Sequence, residues 1–333
     1  MSYLVIGLAG PELTDEERRW LARDEVGGAI LFSRNFHSVD QVRRLCDAIR
    51  EVDRDAVILI DQEGGRVQRI GEPLTVLPPL GAIGAVYDDD EDLAMDVAFV
   101  HGKLMAMEVL AIGADLSLAP VLDLRRKGSI IADRAFHADP LVVKALGRTY
   151  IKGMHDAGMA ACAKHFPGHG SVEQDTHLEH AVDPRPFDEL AITDLRPFTV
   201  AIQEGLDAVM MAHVVYPEID ERPAGYSRVW IQDILRKRIG FEGVVISDDL
   251  GMAAACDVGG FEDRLTCALE AGCDLVLVCR PDDVARVFGE VRQWPQPGED
   301  RRALIRAGEH PDWGSVSIDD AHQELRERLA ALV

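Results

Sequence analysis

The chain predicts an α/β protein, a (β/α)8 barrel of the TIM type, on three observations. Short apolar runs recur about eight times, each followed by a longer stretch of helical periodicity. Polar residues able to do chemistry stand directly after several of those runs, as they do at the C-terminal strand ends of barrel enzymes. No Gly-x-Gly-x-x-Gly follows the first run, Leu4–Gly7, which weighs against a doubly wound open sheet with the same rhythm. At 333 residues, one barrel can account for the whole chain, 1–333, as a single domain.

The elements follow in order. After Leu4–Gly7, Thr14 is placed to N-cap a helix with Glu16 and Glu17 in its first turn. The run Ala29–Phe32 comes after the Gly27-Gly28 pair and before the helical pattern Ser38–Val52. Ala56–Ile60 ends directly on Asp61. A helix of about twenty residues is expected next, with Leu93, Val97, Val100, Leu104, Met107 and Ala111 spaced by threes and fours. Asp115–Leu118, Met159–Ala163, Ala208–Met211, Val244–Ile246 and Leu275–Val278 complete the strands. Helical stretches fall near 140–156, 194–204, 227–238, 261–271 and 281–292. Residues 293–318 read as irregular and Ile318–Val333 as a terminal amphipathic helix.

Charge and composition exclude some classes of partner. A net charge of −23 and a pI near 4.8 disfavour a polyanion such as nucleic acid. No run reaches membrane-spanning length, and the opening Met-Ser-Tyr-Leu-Val-Ile-Gly-Leu lacks the basic head of a secretion signal. The six cysteines (Cys46, Cys162, Cys256, Cys267, Cys273 and Cys279) form no Cys-x-x-Cys pair and read as buried thiols of a reducing compartment. A cytoplasmic protein is expected, with no nucleic-acid or membrane partner.

One stretch concentrates polar chemistry, Lys164-His-Phe-Pro-Gly-His-Gly-Ser-Val-Glu-Gln-Asp-Thr-His-Leu-Glu-His180. Its Pro167-Gly168 pair prevents a helix, so it reads as a loop leaving Met159–Ala163, with Gly168 and Gly170 giving it freedom. Asp61 follows the third run, Lys164 and His165 the fifth, His213 the sixth, and Ser247-Asp248-Asp249 the seventh. A single such acid could be a helix N-cap, and Asp249 is placed to be one. Four polar strand ends are harder to explain that way.

Convergence of Asp61, Lys164, His165, His177, His213 and Asp248 admits two chemistries. One is a metal site, which the spacing opposes. Pro167-Gly168 keeps His165 and His169 from aligning on a helix, and no His-x-His leaves an early strand. The other is metal-free glycoside hydrolysis by a carboxylate nucleophile and a separate acid/base. Neither a metal nor a cofactor is therefore expected.

Several segments together resemble the β-N-acetylglucosaminidases of glycoside hydrolase family 3. They are Asp61-Gln-Glu-Gly-Gly-Arg-Val-Gln-Arg69, Asp133-Arg-Ala-Phe-His137, Lys164-His-Phe-Pro-Gly-His-Gly170, Asp175-Thr-His177 and Ser247-Asp-Asp-Leu250, with Ser33-Arg-Asn-Phe36 after the second strand. The resemblance spans about residues 1–280, and the tail after about 290 carries no matching motif. It implies a (β/α)8 barrel in which Asp248 is the nucleophile and His177 the acid/base, with Asp175 as its partner. Asp61, Arg69, Arg134, Lys164 and His165 are implied as sugar-binding residues, and His213 is a further candidate for the pocket wall. The short chain resembles the single-domain cytoplasmic type that recycles cell-wall fragments in Gram-negative bacteria. That implies a small-molecule substrate, an N-acetylglucosaminyl-anhydromuropeptide, and a monomer is expected.

The residue types suit this chemistry. An unperturbed imidazole is mostly neutral at pH 7, so an acid of this kind needs a neighbouring carboxylate. Residues i and i+2 of an extended segment face the same side, which lets Asp175 meet His177. Two further readings stay open: a phosphorylase of the same family, and a sugar-binding barrel without catalysis.

Overall fold

The computed structural model describes residues 2–172, 181–252, 259–289 and 299–331. Each apolar run contributes to one strand of a parallel barrel. The strands are β1 (Leu4–Gly7), β2 (Val26–Leu31), β3 (Val57–Ile60), β4 (Leu116–Ser117), β5 (Cys162–Phe166), β6 (Ala208–Met211), β7 (Val244–Ile246) and β8 (Val276–Val278). The order β8-β1-β2-β3-β4 is continuous, and β5-β6-β7 forms a second sheet. Parallel bridges Val121–Lys164 and Ile246–Leu275 join the two, which closes the ring. All eight strands are buried along their length. Strands covered on both faces need no polar alternation, which is why the sequence shows them as continuous apolar runs.

Two strands differ from the sequence reading by more than one residue at an end. β2 starts three residues early and takes in Gly27-Gly28, because a Cβ at Gly28 would lie 1.9 Å from the Val57 carbonyl oxygen of β3. β5 runs Cys162–Phe166 rather than Met159–Ala163. Lys164 and His165, joined by a cis peptide, are therefore strand residues, at a point where the register with β6 shifts between Ala163 and Phe166.

The helices begin where local chemistry directs. Thr14 and Glu17 form a reciprocal capping box on Asp15–Leu21, Ser38 caps Val39–Val52, and Asp139 caps Pro140–Asp156. Leu195–Gln203, Val229–Ile239, Phe261–Ala271 and Pro281–Gly289 follow. The long helix Glu91–Ala111 is buried beyond its predicted stripe, at Ala94, Ala98, Met105 and Val109, while Leu93 is 36% exposed. It packs against Pro140–Asp156 and against the helix Asp320–Ala330, so apolar residues are needed on more than one side.

Beyond the C-terminal strand ends lie two small sheets. A hairpin, Gln62–Gly64 with Val67–Gln68, follows β3. Ala181–Val182, Val214–Tyr216 and Asp220–Pro223 form the other. Among the described residues, no helix is long and apolar enough to cross a membrane.

Candidate active site

β3 delivers Asp61 to the C-terminal face, and the hairpin turns back to bring Arg69 beside it. Asp61 Oδ2 accepts from Arg69 Nη2 at 2.6 Å and Oδ1 from Lys164 Nζ at 2.8 Å. Two residues on, Glu63 faces the same way and lies 2.6 Å from Lys164 Nζ. Arg134 grips Glu63 with two hydrogen bonds, Nε at 2.9 Å and Nη2 at 2.8 Å. Lys164 and Glu63 are each only 2% exposed, so these charges depend on one another.

Burial pushes the carboxyls of Asp61 and Glu63 up, but Lys164 with Arg69 and Arg134 outweighs it and holds both below the usual range. Burial likewise pulls Lys164 down, and Asp61 and Glu63 more than restore it. Lys164 stays a cation, and two carboxylates against three cations leave one net positive charge on a strongly acidic protein. Arg69 Nε is buried without a partner among the described residues, a donor left over for a ligand.

A second cluster orients His165. Asp123, fully buried, meets His165 Nδ1 at 2.7 Å and accepts from the backbone N–H of His169 at 2.6 Å. Burial raises the Asp123 carboxyl, but His165 and His169 hold it low. An ionised carboxylate only accepts, so Nδ1 carries the proton and Nε2 remains available. His169 is a structural neighbour whose pKa burial lowers to about 4.

β7 ends in Ser247-Asp248-Asp249. The Ser247 hydroxyl donates to the Asp248 carbonyl and accepts from Leu277 N–H, tying this end to β8. Asp248 Oδ1 accepts from Asp249 N–H at 2.8 Å. Asp249 Oδ1 is committed elsewhere, to the N–H groups of Gly251 and Cys279, both at 3.1 Å. Burial raises the Asp249 carboxyl against those donors. The two adjacent acids are thus distinct, Asp249 holding the strand ends together.

A cavity of about 500 Å3 joins these groups, lined by Asp61, Glu63, Arg69, Arg134, Lys164, His165 and Asp248, with Phe32, Met210 and Cys279 as apolar wall. Its size suits one sugar ring and its linkage. His213 does not line it. That ring is 1% exposed and lies against Tyr226 at 5.3 Å between centroids. Burial lowers its pKa against the opposing pull of Asp248 and Asp249. Asp175 and His177 lie outside the described residues.

Gly168 and Gly170 also read differently in place. Both are buried; Gly168 has φ +133°, and a Cβ at Gly170 would lie 1.9 Å from the Leu124 carbonyl oxygen. They permit close packing rather than movement. Glu63 and Asp123 escaped the sequence reading. The Asp61-x-Glu63 spacing and a lone acid inside Leu122-Asp123-Leu124 were the signals that could have found them. Among the described residues, no group of three His, Cys, Asp or Glu side chains is gathered to hold a metal ion.

A closed (β/α)8 barrel with a carboxylate- and cation-lined cavity at its C-terminal strand ends has the build of a glycoside hydrolase. The chain belongs to glycosyl hydrolase family 3, whose N-terminal domain matches residues 4–299. It is 51% identical over 327 residues to a β-hexosaminidase of Stenotrophomonas maltophilia, covering 98% of this chain and 97% of that one. A β-hexosaminidase of Xanthomonas axonopodis is 53% identical over 290 residues, 87% of each chain. NagZ from Neisseria gonorrhoeae, in complex with N-trifluoroacetyl-D-glucosamine, superposes with a TM-score of 0.91 at 40% identity, covering 99% of this chain and 98% of that one. A family 3 β-N-acetylglucosaminidase from Paenibacillus superposes at 0.83 with 30% identity, over 99% of this chain and 67% of that one.

Proposed function

We propose that this glycoside hydrolase is a β-hexosaminidase working as a retaining exo-β-N-acetylglucosaminidase. It would remove non-reducing terminal N-acetylglucosamine from peptidoglycan fragments in cytoplasmic cell-wall recycling. The observation that carries the reading is Asp248, which opens from the end of β7 onto the same cavity as the Asp61–Lys164–Glu63–Arg134 cluster. Relatives named β-hexosaminidase, and one neighbour bound to an N-acylated glucosamine, support the sugar class. The acidic chain still presents a cationic cluster where a neutral or anionic glycan would sit.

In this reading the sugar lies in the cavity with its hydroxyls against Asp61, Arg69, Arg134, Lys164 and His165. The Asp248 carboxylate attacks the anomeric carbon while the His177 imidazolium, charged through Asp175, gives its proton to the departing oxygen. A glycosyl-aspartate ester forms and the aglycone leaves as an alcohol. Neutral His177 then takes a proton from water, whose oxygen displaces Asp248 and restores the carboxylate. Asp249 takes no part in bond exchange, because its carboxylate holds the backbone of Gly251 and Cys279.

A slowly turned-over 5-fluoro N-acetylglucosaminyl donor, followed by peptide mass spectrometry, tests the assignment. Label on Asp248 is expected. Label on Asp249 or Asp61, or turnover without any label, would remove Asp248 from the role.

A further inference from the structure

The segment carrying Asp175 and His177 joins two described stems, Gly168–Val172 and Ala181–Arg185, and one polar cluster grips both. Asp194 is fully buried, yet it accepts from Ser171 Oγ of the first stem at 3.0 Å and from Arg185 Nη1 of the second at 2.8 Å. Arg185 in turn holds Asp183, 3% exposed, through Nε at 2.9 Å and Nη2 at 2.5 Å. The strand Val214–Tyr216 makes the same connection independently. Its Tyr216 hydroxyl donates to the Gly168 carbonyl at 2.6 Å, while its backbone pairs with Ala181–Val182 and accepts from Asp183 N–H at 2.9 Å.

None of Asp183, Arg185 or Asp194 lines the cavity, so none is placed to touch a sugar. Apolar side chains could fill such a space without desolvating three charges, so a cluster of this kind is better suited to fixing one geometry than to adding stability. What it fixes is the distance and direction between the two stems.

We propose that the Asp183–Arg185–Asp194 cluster is a positioning clamp that holds both stems of the acid/base segment, so that His177 meets the departing oxygen. The proposal rests on the reading of His177 as acid/base. A loosened clamp should mimic loss of the acid, harming poor leaving groups, which need the proton, more than activated ones. It should leave binding of the sugar itself unchanged.

The experiment compares wild type, His177→Ala, Arg185→Gln, Arg185→Lys and Ser171→Ala. It measures kcat/KM over N-acetylglucosaminides of graded leaving-group pKa, inhibition by free N-acetylglucosamine, and thermal unfolding. Arg185→Gln is expected to lose at least about tenfold on the poorest leaving group and under about threefold on the best, with inhibition unchanged. Arg185→Lys should recover part of that loss, and Ser171→Ala should move the same way by less. Added to His177→Ala, Arg185→Gln should cost little more, because the groups act as a unit. Equal slowing of every leaving group, or none, in folded Arg185→Gln beside a leaving-group-dependent His177→Ala would overturn the clamp and spare the acid/base reading. Absence of that dependence in His177→Ala would overturn the acid/base reading, and the clamp with it. Should Arg185→Gln fail to fold, Arg185→Lys and Ser171→Ala carry the same comparison.

Discussion

Lys164 Nζ stands 2.8 Å from Asp61 and 2.6 Å from Glu63, and without its charge each buried carboxylate would keep a single cationic partner, Arg69 or Arg134. Lys164→Met should therefore destabilise the fold, by up to about 3–5 kcal/mol, the usual cost of breaking a buried ion pair, as read by urea unfolding. Unchanged stability would mean that the cluster relaxes toward solvent. Under the proposed function, the same cluster and Arg134 would recognise a 2-acetamido group. An aryl glucoside should be hydrolysed at least about tenfold less efficiently than the matching N-acetylglucosaminide, since one unpaired buried polar group costs about 1–3 kcal/mol. Equal kcat/KM for the two would sink that reading. At this scale the sequence was most legible where a polar residue ends an apolar run, as at Asp61 and Asp248. It was least legible where a polar residue interrupts one. Asp123 sits among leucines with nothing local to show that His165 and the His169 backbone, more than forty residues on, would satisfy it. His213, also a histidine after a strand, is buried against Tyr226 and does not line the cavity.

Among elements, the eight strands could be read because parallel strands buried on both faces leave continuous apolar runs. β5 was cut short because apolarity stops at Ala163 while hydrogen bonding continues to Phe166. Lys164 and His165 are tolerated inside it only through Asp61, Glu63 and Asp123, partners that no local pattern reveals. The helix Glu91–Ala111 hides a comparable feature. Its Glu108, 1% exposed, accepts from Thr75 N–H at 2.8 Å, Thr75 Oγ1 at 2.7 Å and His322 Nε2 at 2.9 Å. One carboxyl thus joins the long helix to the helix Asp320–Ala330 and to the strand-to-helix connection containing Thr75. Glu108→Ala would leave three buried donors unpaired, and a loss of about 3–5 kcal/mol is expected in chemical denaturation. Glu108→Gln, which keeps an acceptor, should lose clearly less. Equal losses in the two variants would mean that packing, not the hydrogen bonds, holds these elements together.

For the molecule as a whole, pH sets two tendencies against each other. Acidification from pH 7 towards the pI near 4.8 removes net negative charge and relieves self-repulsion. It also charges histidines that the fold keeps neutral. His101 and His169 are buried, and burial lowers each pKa from 6.5 to about 4. A group with a depressed folded pKa is protonated first in the unfolded chain, so its stabilising contribution is complete above pH 6.5 and is lost as pH falls towards 4. At pH 5 the loss is about 2 kcal/mol for each. Asp61, Glu63 and Asp123 have lowered pKa values and withdraw stability only below their ordinary carboxyl range, further to the acid side. His155, raised by its hydrogen bond to Asp207, acts in the opposite sense and above pH 6.5, where its contribution fades as pH rises. The interval from pH 6.5 to 5 therefore belongs to the buried histidines, and two losses of this size in a marginally stable fold should outweigh relief of a diffuse surface charge. Stability should peak near neutrality rather than at the pI. His101→Gln should lose about 2 kcal/mol less than wild type between pH 7 and pH 5 in urea titrations, whatever its stability at pH 7. Parallel losses in the two proteins would show that His101 takes up its proton in the folded state and that repulsion or another group governs the acid limb.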